Sequence, residues 1–256
     1  MNCENNKPGY KAHFRFYAEL NDFLHEEIRQ TRVTYLFSGK PSIKDAIEAQ
    51  GVPHPEVDLI IVNGDSVGFD YHLKDGDQVS VYPVFESFDI SPIVRLRDAP
   101  LRVSRFVIDV NLGKLARLLR MLGFDTLYKN CFSDKEVAEI SSHEQRIVLT
   151  RDRKLLQAKI ITHGYWVRSQ MPDDQVREVI KRFDLRTQIT PFHRCIDCNG
   201  LIQPVEKAEV IERLQPKTKL YYEEFYVCSD CKKVYWEGSH FDRLRETVEA
   251  ILNDSS

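Results

Sequence analysis

Two Cys-x-x-Cys pairs constrain this chain more than any other feature. They are Cys195-Ile-Asp-Cys198 and Cys228-Ser-Asp-Cys231, and they hold four of the six cysteines. One such pair places two thiolates on the same side of a metal ion, and two pairs complete a tetrahedral Zn²⁺ site. Four protein ligands leave no open coordination position, so we expect a structural zinc in a C-terminal zinc ribbon, residues 189–256.

Length and composition place the chain among ordinary multidomain proteins. With 256 residues, 42% hydrophobic and 29% charged, it can form two domains or three small ones, each with its own core. No apolar run is long enough to span a bilayer, and the segment MNCENNKPGYK lacks the apolar core of a signal peptide. Metal-binding cysteines, in place of a disulfide framework, agree with this. We therefore expect a cytoplasmic protein with no membrane partner.

Charge is unevenly distributed along the chain. Residues 1–90 have 8 basic and 15 acidic side chains, a net charge of −7. Residues 91–190 have 19 basic and 12 acidic side chains, a net charge of +7, and residues 191–256 have a net charge of −3. Such asymmetry predicts separate domains, with a middle domain suited to a polyanionic partner. A solvated basic surface is the simpler alternative.

The first segment, residues 10–88, has the pattern of a small α+β domain. Strands are predicted at 12–19, 33–37, 58–64 and 79–85. A helix is predicted at 42–51, with Ser42 as N-cap, Asp45 at the capping-box position and Gly51 as its end. This ββαββ order predicts a ubiquitin-like (β-grasp) roll.

The end of this segment resembles a known family. VNGDSVGFDYHLKDGDQVSVYPVF, beginning at Val62, is similar to the end of a MoaD/ThiS-type ubiquitin-like domain. Sulfur carriers of that type need a free Gly-Gly carboxyl end. Here the strand continues into more chain and has no Gly-Gly. We therefore expect a module that packs or binds a protein partner, and sulfur transfer is only a third hypothesis for the chain.

A linker is predicted at 89–104, and beyond it strands and helices alternate. Strands are predicted at FVIDV, DTLY, RIVLT and GYWVRS, and helices at 112–122, 133–144, 152–160 and 173–183. Alternation of this kind predicts an α/β fold, a parallel sheet covered by helices, over residues 105–188. In the first helix five leucines form one face, while Lys114, Arg117 and Arg120 form the opposite face, and Gly123 ends the helix.

Acidic residues follow the predicted strands. Asp109 ends the first strand, Asp152 follows the third, and Asp134 begins the helix after the second. Since ligands bind at the carboxyl ends of such strands, the three carboxylates are expected to meet and to bind Mg²⁺ or Mn²⁺. The alternative for Asp134, Asp152 and the later Asp173 is that each is a helix N-cap.

Three stretches together resemble the Mut-seven C-terminal RNase family, a PIN-like nuclease domain with a zinc ribbon. They are Asp109 at the strand end, GKLARLLRMLGFD from Gly113, and LTRDRKLL from Leu149, and the likeness covers about residues 103–240. The resemblance implies a metal-dependent ribonuclease with Asp109 and Asp152 as metal ligands and Asp134 between them. Glu136 is a rival to Asp134, and Asp173 is a weaker fourth candidate.

Basic and aromatic residues beside these motifs suit an RNA substrate. Lys114 and Arg151 are expected to position a phosphate, with Arg117 and Arg153 beside them. For Arg117 and Arg120 the alternative is solvation of an outer helix face. Around the second cysteine pair, RNA contact and simple packing are both open for a set of five residues: Lys232, Lys233, Tyr235, Trp236 and His240.

The sequence thus predicts a divalent-metal-dependent ribonuclease that hydrolyses RNA phosphodiester bonds. The alternative, from another class, is a non-catalytic RNA- or ribosome-binding adaptor whose acids are only caps.

Overall fold

The computed structural model describes residues 9–83 and 104–253. They belong to two compact units: the first comprises residues 1–102 and 152–166, and the second comprises residues 103–151 and 167–256. The predicted linker at 89–104 lies outside the described residues except for its last position. Within the described ranges, no helix combines the length and apolar character needed to cross a bilayer.

The N-terminal segment forms one mixed five-stranded sheet and a helix. The elements are β1 (Tyr10–Phe16), β2 (Val33–Phe37), α1 (Ile43–Ala49), β3 (Val57–Val62), β4 (Asp65–Ser66) and β5 (Gln78–Pro83). The strand order is β2-β1-β5-β3-β4. Strands β1 and β5 run parallel, with Phe14 opposite Val79, and the other neighbouring strands run antiparallel. This β-grasp arrangement confirms the predicted fold of the segment.

Helix α1 begins where the capping residues predict. The Ser42 hydroxyl accepts the Asp45 backbone N–H at 3.1 Å, and the Asp45 carboxylate accepts the Ser42 hydroxyl at 2.7 Å. The helix buries Ile43 and Ile47 against the sheet, where Phe14 is also fully buried. The cap and the apolar face together fix the helix on the sheet.

Residues 104–253 contain the alternating segment and the cysteine segment. The elements are β6 (Arg105–Ile108), α2 (Gly113–Met121), β7 (Asp125–Leu127), α3 (Asp134–Glu144), β8 (Ile147–Thr150), α4 (Arg153–Leu156), β9 (Gly164–Trp166), α5 (Pro172–Arg182), β10 (Ile202–Val205), α6 (Lys207–Val210), α7 (Pro216–Tyr221), β11 (Phe225–Cys228), β12 (Val234–Tyr235) and α8 (Ser239–Asn253).

Strands β6, β7 and β8 form the centre of the second unit. Strand β6 lies between β7 and β8 and runs parallel to both. In register, Phe106 faces Thr126 on one side and Ile147 on the other. Every residue of β8 is buried, as expected for a strand covered on both faces. The predicted parallel sheet is therefore confirmed.

Helix α2 packs by its leucines, as predicted, and ends at Met121, with Gly123 just after its C-cap. Leu115 and Leu119 have no exposed surface, and Gly123 has the positive φ of +96° that favours glycine at a helix end. The prediction that Arg120 lies on an exposed basic face of the helix is wrong, because only 3% of its surface is exposed. The chain that covers this side of the helix is the first cysteine pair.

Helices α3 and α4 differ in how closely they follow the prediction from sequence. Helix α3 has the complete predicted capping box between Ser133 and Glu136. Helix α4, predicted over 152–160, covers only Arg153–Leu156. Its end is a tight turn in which the Gln157 N–H donates to the Lys154 carbonyl at 3.1 Å.

The segment 152–166 is bonded to the β-grasp residues within the first unit. Arg153 donates to the carbonyls of Asp22 and Phe23, and its guanidinium carbon lies 3.9 Å from the Trp166 ring centroid. The buried His54 ring is within 2.7 Å of the Ile161 carbonyl oxygen. These contacts hold Arg153 in the first unit, which disfavours the phosphate contact predicted for it.

Candidate active site and metal centre

Asp109 stands at the end of β6 and is 4% exposed. It occupies the N-cap position of a short 3-10 turn, Val110–Leu112, but its side chain makes no capping hydrogen bond. Instead, Oδ2 accepts the Thr150 hydroxyl at 2.9 Å, from the end of the neighbouring strand β8. Because a neutral hydroxyl compensates little of a buried charge, this carboxylate suits a cation. Although Asp109 stands at an N-cap position, its side chain does not cap the turn.

Asp134 and Glu136 begin α3 but differ in what holds them. Glu136 accepts the Ser133 N–H at 2.8 Å, and the Ser133 hydroxyl accepts the Glu136 N–H at 3.3 Å. The hydrogen bonds from the Ser133 backbone and side chain lower the pKa of Glu136. Asp134 is exposed and takes no part in this cap. Because Glu136 is bonded to Ser133 at the N-terminus of α3, Asp134 is the better candidate metal ligand.

Asp152 caps α4. Its Oδ1 accepts the Lys154 backbone N–H at 2.8 Å, and the residue is exposed. It lies in the first compact unit, whereas Asp109 and Asp134 lie in the second. A cap uses one carboxylate oxygen, so capping and metal binding are compatible roles.

The two predicted phosphate-binding residues are both exposed. Lys114 is in the first turn of α2, five residues after Asp109. Arg151 directly follows β8 and donates to the Ser169 carbonyl at 3.1 Å. Asp173, the weaker fourth candidate, is exposed in the first turn of α5.

The four cysteines form one compact group of ligand atoms. All four sulfur atoms lie within 4.8 Å of one another. Cys195 Sγ is 3.7 Å from Cys231 Sγ, and Cys198 Sγ is 3.3 Å from Cys228 Sγ. Zn–S bonds of about 2.3 Å in a tetrahedron place sulfur atoms about 3.8 Å apart, so the group fits zinc. Among the described residues, no other group of three or more His, Cys, Asp or Glu side chains lies close enough together to hold a metal ion.

Each cysteine pair is closed by the same local geometry. The N–H that follows the second cysteine donates to the carbonyl of the first: Asn199 to Cys195 at 2.9 Å, and Lys232 to Cys228 at 3.2 Å. Asn199 and Lys232 both have positive φ, +77° and +61°. Two similar turns therefore aim the four thiols at one point beside the antiparallel sheet β10-β11-β12.

Tyr235 supports the first cysteine from β12. Its hydroxyl lies 3.0 Å from Cys195 Sγ. Burial raises the pKa of Cys195, but hydrogen bonds from Tyr235 and from the Cys198 and Asp197 amides lower it to about 7. At Cys198 the direction is opposite, because burial and the neighbouring thiols raise the pKa of that thiol to about 12.

Arg120 joins the first cysteine pair to strand β7 of the parallel sheet. Its guanidinium donates to the Thr126 carbonyl at 2.9 Å and to the Asp197 carbonyl at 2.7 Å, with longer bonds to two further carbonyls, those of Ile196 and Tyr128. Sequence reasoning missed this role. The available indication was Ala116, which is fully buried one helical turn earlier on the same side.

A second polar connection lies at the edge of β7. Asp125 accepts Arg146 Nη1 at 2.7 Å and Asn199 Nδ2 at 2.8 Å, while Arg194 is 3.6 Å away. Burial raises the pKa of Asp125, but these hydrogen bonds and the two guanidinium charges together lower it. Asn199 also accepts the Thr126 N–H at 2.9 Å. The ribbon is thus bonded to the sheet by buried groups.

A cavity of about 700 Å³ opens beside the first turn of α2. We call it the helix pocket, and its lining includes Gly113, Lys114, Arg117, Tyr128 and Gln175. The Tyr128 hydroxyl donates to the Val110 carbonyl at 3.1 Å. A Cβ on Gly113 would lie 2.5 Å from that hydroxyl, so glycine is needed for this close approach.

Two family models match the chain. The model described as Mut7-C ubiquitin matches residues 9–89, and the model described as Mut7-C RNAse domain matches residues 104–248. No curated protein matches it. The second match spans more than half of the 256 residues, and both agree with the predicted order of domains. The chain therefore belongs to the Mut7-C RNAse domain family, with a Mut7-C ubiquitin segment preceding that domain.

Proposed function

We propose that this protein is a ribonuclease that hydrolyses RNA phosphodiester bonds with the help of Mg²⁺ or Mn²⁺. Asp109 carries the proposal. It is a buried strand-end carboxylate without a capping role, bonded to a neutral hydroxyl. Family membership supports the reaction class, and the net charge of +7 over residues 91–190 suits a polyanionic substrate.

Asp109, Asp134 and Asp152 are the proposed metal ligands. Carboxylate oxygens are the donors that Mg²⁺ and Mn²⁺ prefer. When bound in such a site, these ions supply activation of water and stabilisation of charge on phosphate oxygens. Asp109 is oriented by the Thr150 hydroxyl, and Asp134 is left outside the cap that holds Glu136.

Lys114 and Arg151 are proposed to hold the phosphate. Lys114 lies in the exposed first turn of α2, and Arg151 follows directly after Thr150. Their positive charges attract the RNA backbone without reading its sequence. The structural zinc takes no part in the reaction, because its four ligands are all cysteines.

The test is cleavage of a mixed pool of cellular RNA by the wild type and by Asp109→Asn. Metal is removed by dialysis and Mg²⁺ or Mn²⁺ is then added, since a strong chelator would also extract the zinc. We expect cleavage that depends on the added metal and is lost in Asp109→Asn. Equal cleavage by both proteins would remove Asp109 from the site.

Two further variants sharpen this result. Thr150→Val removes the hydroxyl that orients Asp109, and partners of metal ligands typically contribute about 10–100-fold to activity or metal affinity. We expect a partial loss of that size. Glu139→Gln changes an exposed acid on α3 that pairs with Lys135, and we expect it to cleave like the wild type.

The alternative is a non-catalytic RNA- or ribosome-binding adaptor. The observation that favours it is Asp152, which is a helix cap as the simpler interpretation predicted. Metal-independent RNA binding without cleavage under any condition would support this alternative. A protein partner for the β-grasp segment and a cytoplasmic location remain part of the proposal, the latter because the cysteines suit a metal better than disulfides.

A further inference from the structure

A second cavity, of about 620 Å³, lies on the zinc ribbon. We call it the ribbon pocket. Six aromatic side chains contribute to its lining: Phe192, Tyr222, Tyr226, Tyr235, Trp236 and Phe241. A cavity of this volume with apolar walls and a few polar groups is typical of a site for a small flat ligand.

The ribbon pocket and the helix pocket meet. Arg117, Ile196 and Asp197 line both of them. Ile196 and Asp197 are the two residues between the first pair of cysteines, so this turn forms the ridge that the pockets share. We call the two neighbouring pockets together the knuckle groove, from the first turn of α2 to the ribbon.

The groove is positively charged. Its lining includes five basic and two acidic side chains: Lys114, Arg117, Arg120, Arg194 and Lys233, against Asp197 and Glu237. At the junction, Arg117 and Lys233 share the single carboxylate of Asp197, at 3.8 Å and 2.5 Å. The Arg117 side chain is 63% exposed and that of Lys233 is 52% exposed. Both cations are therefore accessible to an anionic ligand.

Hydrogen bonds to neighbouring parts of the fold fix several residues that line the groove. Buried Arg120 fixes the turn at Ile196 and Asp197, and Tyr235 is bonded to Cys195. Asn199 joins the same turn to β7. A preformed site loses less conformational entropy on binding, which favours recognition of a flexible ligand.

We propose that the knuckle groove binds single-stranded RNA. An unpaired base enters the ribbon pocket and stacks near Trp236, while Arg117 and Lys233 bind the flanking phosphates. Bases in a duplex are paired and stacked, so they cannot enter such a pocket, whereas single strands present their faces to aromatic side chains. This inference rests on the proposed ribonuclease function and adds a substrate class to it: unpaired RNA, led past Lys114 towards Asp109.

The first experiment measures binding by the zinc-loaded 256-residue chain carrying Asp109→Asn. Fluorescence anisotropy compares a labelled single-stranded RNA with the same sequence as a duplex, over a range of salt concentrations. We expect the double change Arg117→Ala and Lys233→Ala to weaken single-strand binding at least tenfold. The logarithmic salt slope should fall by about 1.4, because each phosphate contact on a single strand contributes about 0.7.

The matched control is Lys135→Ala, an exposed lysine on α3 that lines neither pocket. It should leave both affinity and salt slope unchanged. Unchanged affinity in the Arg117 and Lys233 variant would overturn the proposal, as would duplex binding as tight as single-strand binding.

A second measurement reports on the base itself. The chain has two tryptophans, so Trp166→Phe leaves Trp236 as the emitting residue. Single-stranded RNA should quench this emission, and poly-glutamate of similar charge should not. Trp236→Phe should retain more affinity than Trp236→Ala, because a phenyl ring still stacks. Base recognition would be overturned if poly-glutamate quenched the emission as strongly as the RNA and displaced the bound RNA equally well.

The two proposals fail separately. If the wild type cleaves RNA through Asp109 but the Arg117 and Lys233 variant keeps its affinity, only the groove is wrong. If no condition gives cleavage but the groove variant loses single-strand binding, the nuclease is wrong and the groove stands.

Discussion

The four cysteines and the three candidate carboxylates differ in how they are positioned. Each cysteine pair lies within one local turn, and folding only has to bring two turns together. Asp109, Asp134 and Asp152 come from three separate elements and from both compact units. The thiols meet within 4.8 Å, whereas the carboxylates stand in three different environments: one buried, one exposed and one in a cap.

This difference shows why one site is structural and the other is proposed to be catalytic. A closed set of four ligands stabilises the fold around it and leaves no position for substrate. Carboxylates from separate elements can bind a cation and still leave coordination positions open for water and substrate. The four-cysteine group can therefore hold a structural metal such as zinc, and its contribution to stability can be tested apart from activity.

The largest effect is expected from breaking the cysteine site. Cys228→Ser removes a fully buried ligand, so we expect loss of zinc and unfolding of the ribbon. Structural zinc contributes on the order of 10 kcal/mol to small domains, and most of this should be lost. Zinc content and thermal unfolding measure the change. Cys131→Ser, at an exposed cysteine outside the cluster, is the control and should change little. A Cys228→Ser protein with full zinc content and an unchanged melting temperature would contradict the site.

A smaller effect is expected from separating the ribbon from α2. Arg120→Ala removes a buried guanidinium that donates to four backbone carbonyls, which we expect to lower the free energy of unfolding by about 3–4 kcal/mol. Urea unfolding at pH 7 measures this. Arg117→Ala, three residues earlier on the same helix, should cost less than about 0.5 kcal/mol, because its side chain is mostly exposed. Equal stability of the two variants would show that Arg120 does not anchor the ribbon.

The smallest effect, and the one that depends on pH, concerns Asp125. Its folded-state pKa is lowered, so it contributes stability that is present above its unfolded pKa and is lost as pH falls through the lower folded value. We expect Asp125→Asn to be less stable than the wild type by about 2 kcal/mol at pH 7, with the gap closing below about pH 4. Urea unfolding across this range measures the gap.

Asp174→Asn is the control for that experiment. Asp174 is exposed and pairs with Arg177 at 3.4 Å on the surface of α5, so its removal should change stability little at any pH. A gap between wild type and Asp125→Asn that stays constant into acid would mean that the charge of Asp125 is not what stabilises the ribbon contact.

The local features were predictable from the sequence because each depends on residues a few positions apart. The capping box of Ser133 and Glu136 needs only one helical turn. The leucine face of α2 follows from helical spacing, and Gly123 ends the helix because its φ is positive. The cysteine spacing identified the four-cysteine group that can hold a metal such as zinc, and the motifs after Asp109 and Leu149 identified the family.

Tertiary structure alone decided the roles of several residues in the sequence-predicted motifs. From the sequence, Arg120 is a surface residue of an amphipathic helix. In the structure it is covered by the chain around Ile196, 76 positions later. Asp109 and Asp152 both precede short helical turns, yet only Asp152 caps one, because Thr150 binds the Asp109 carboxylate. Helix α4 stops early, and its segment joins the β-grasp unit. Local spacing fixes turns, caps and helix faces, whereas burial and long-range hydrogen bonds depend on which surfaces the fold brings together.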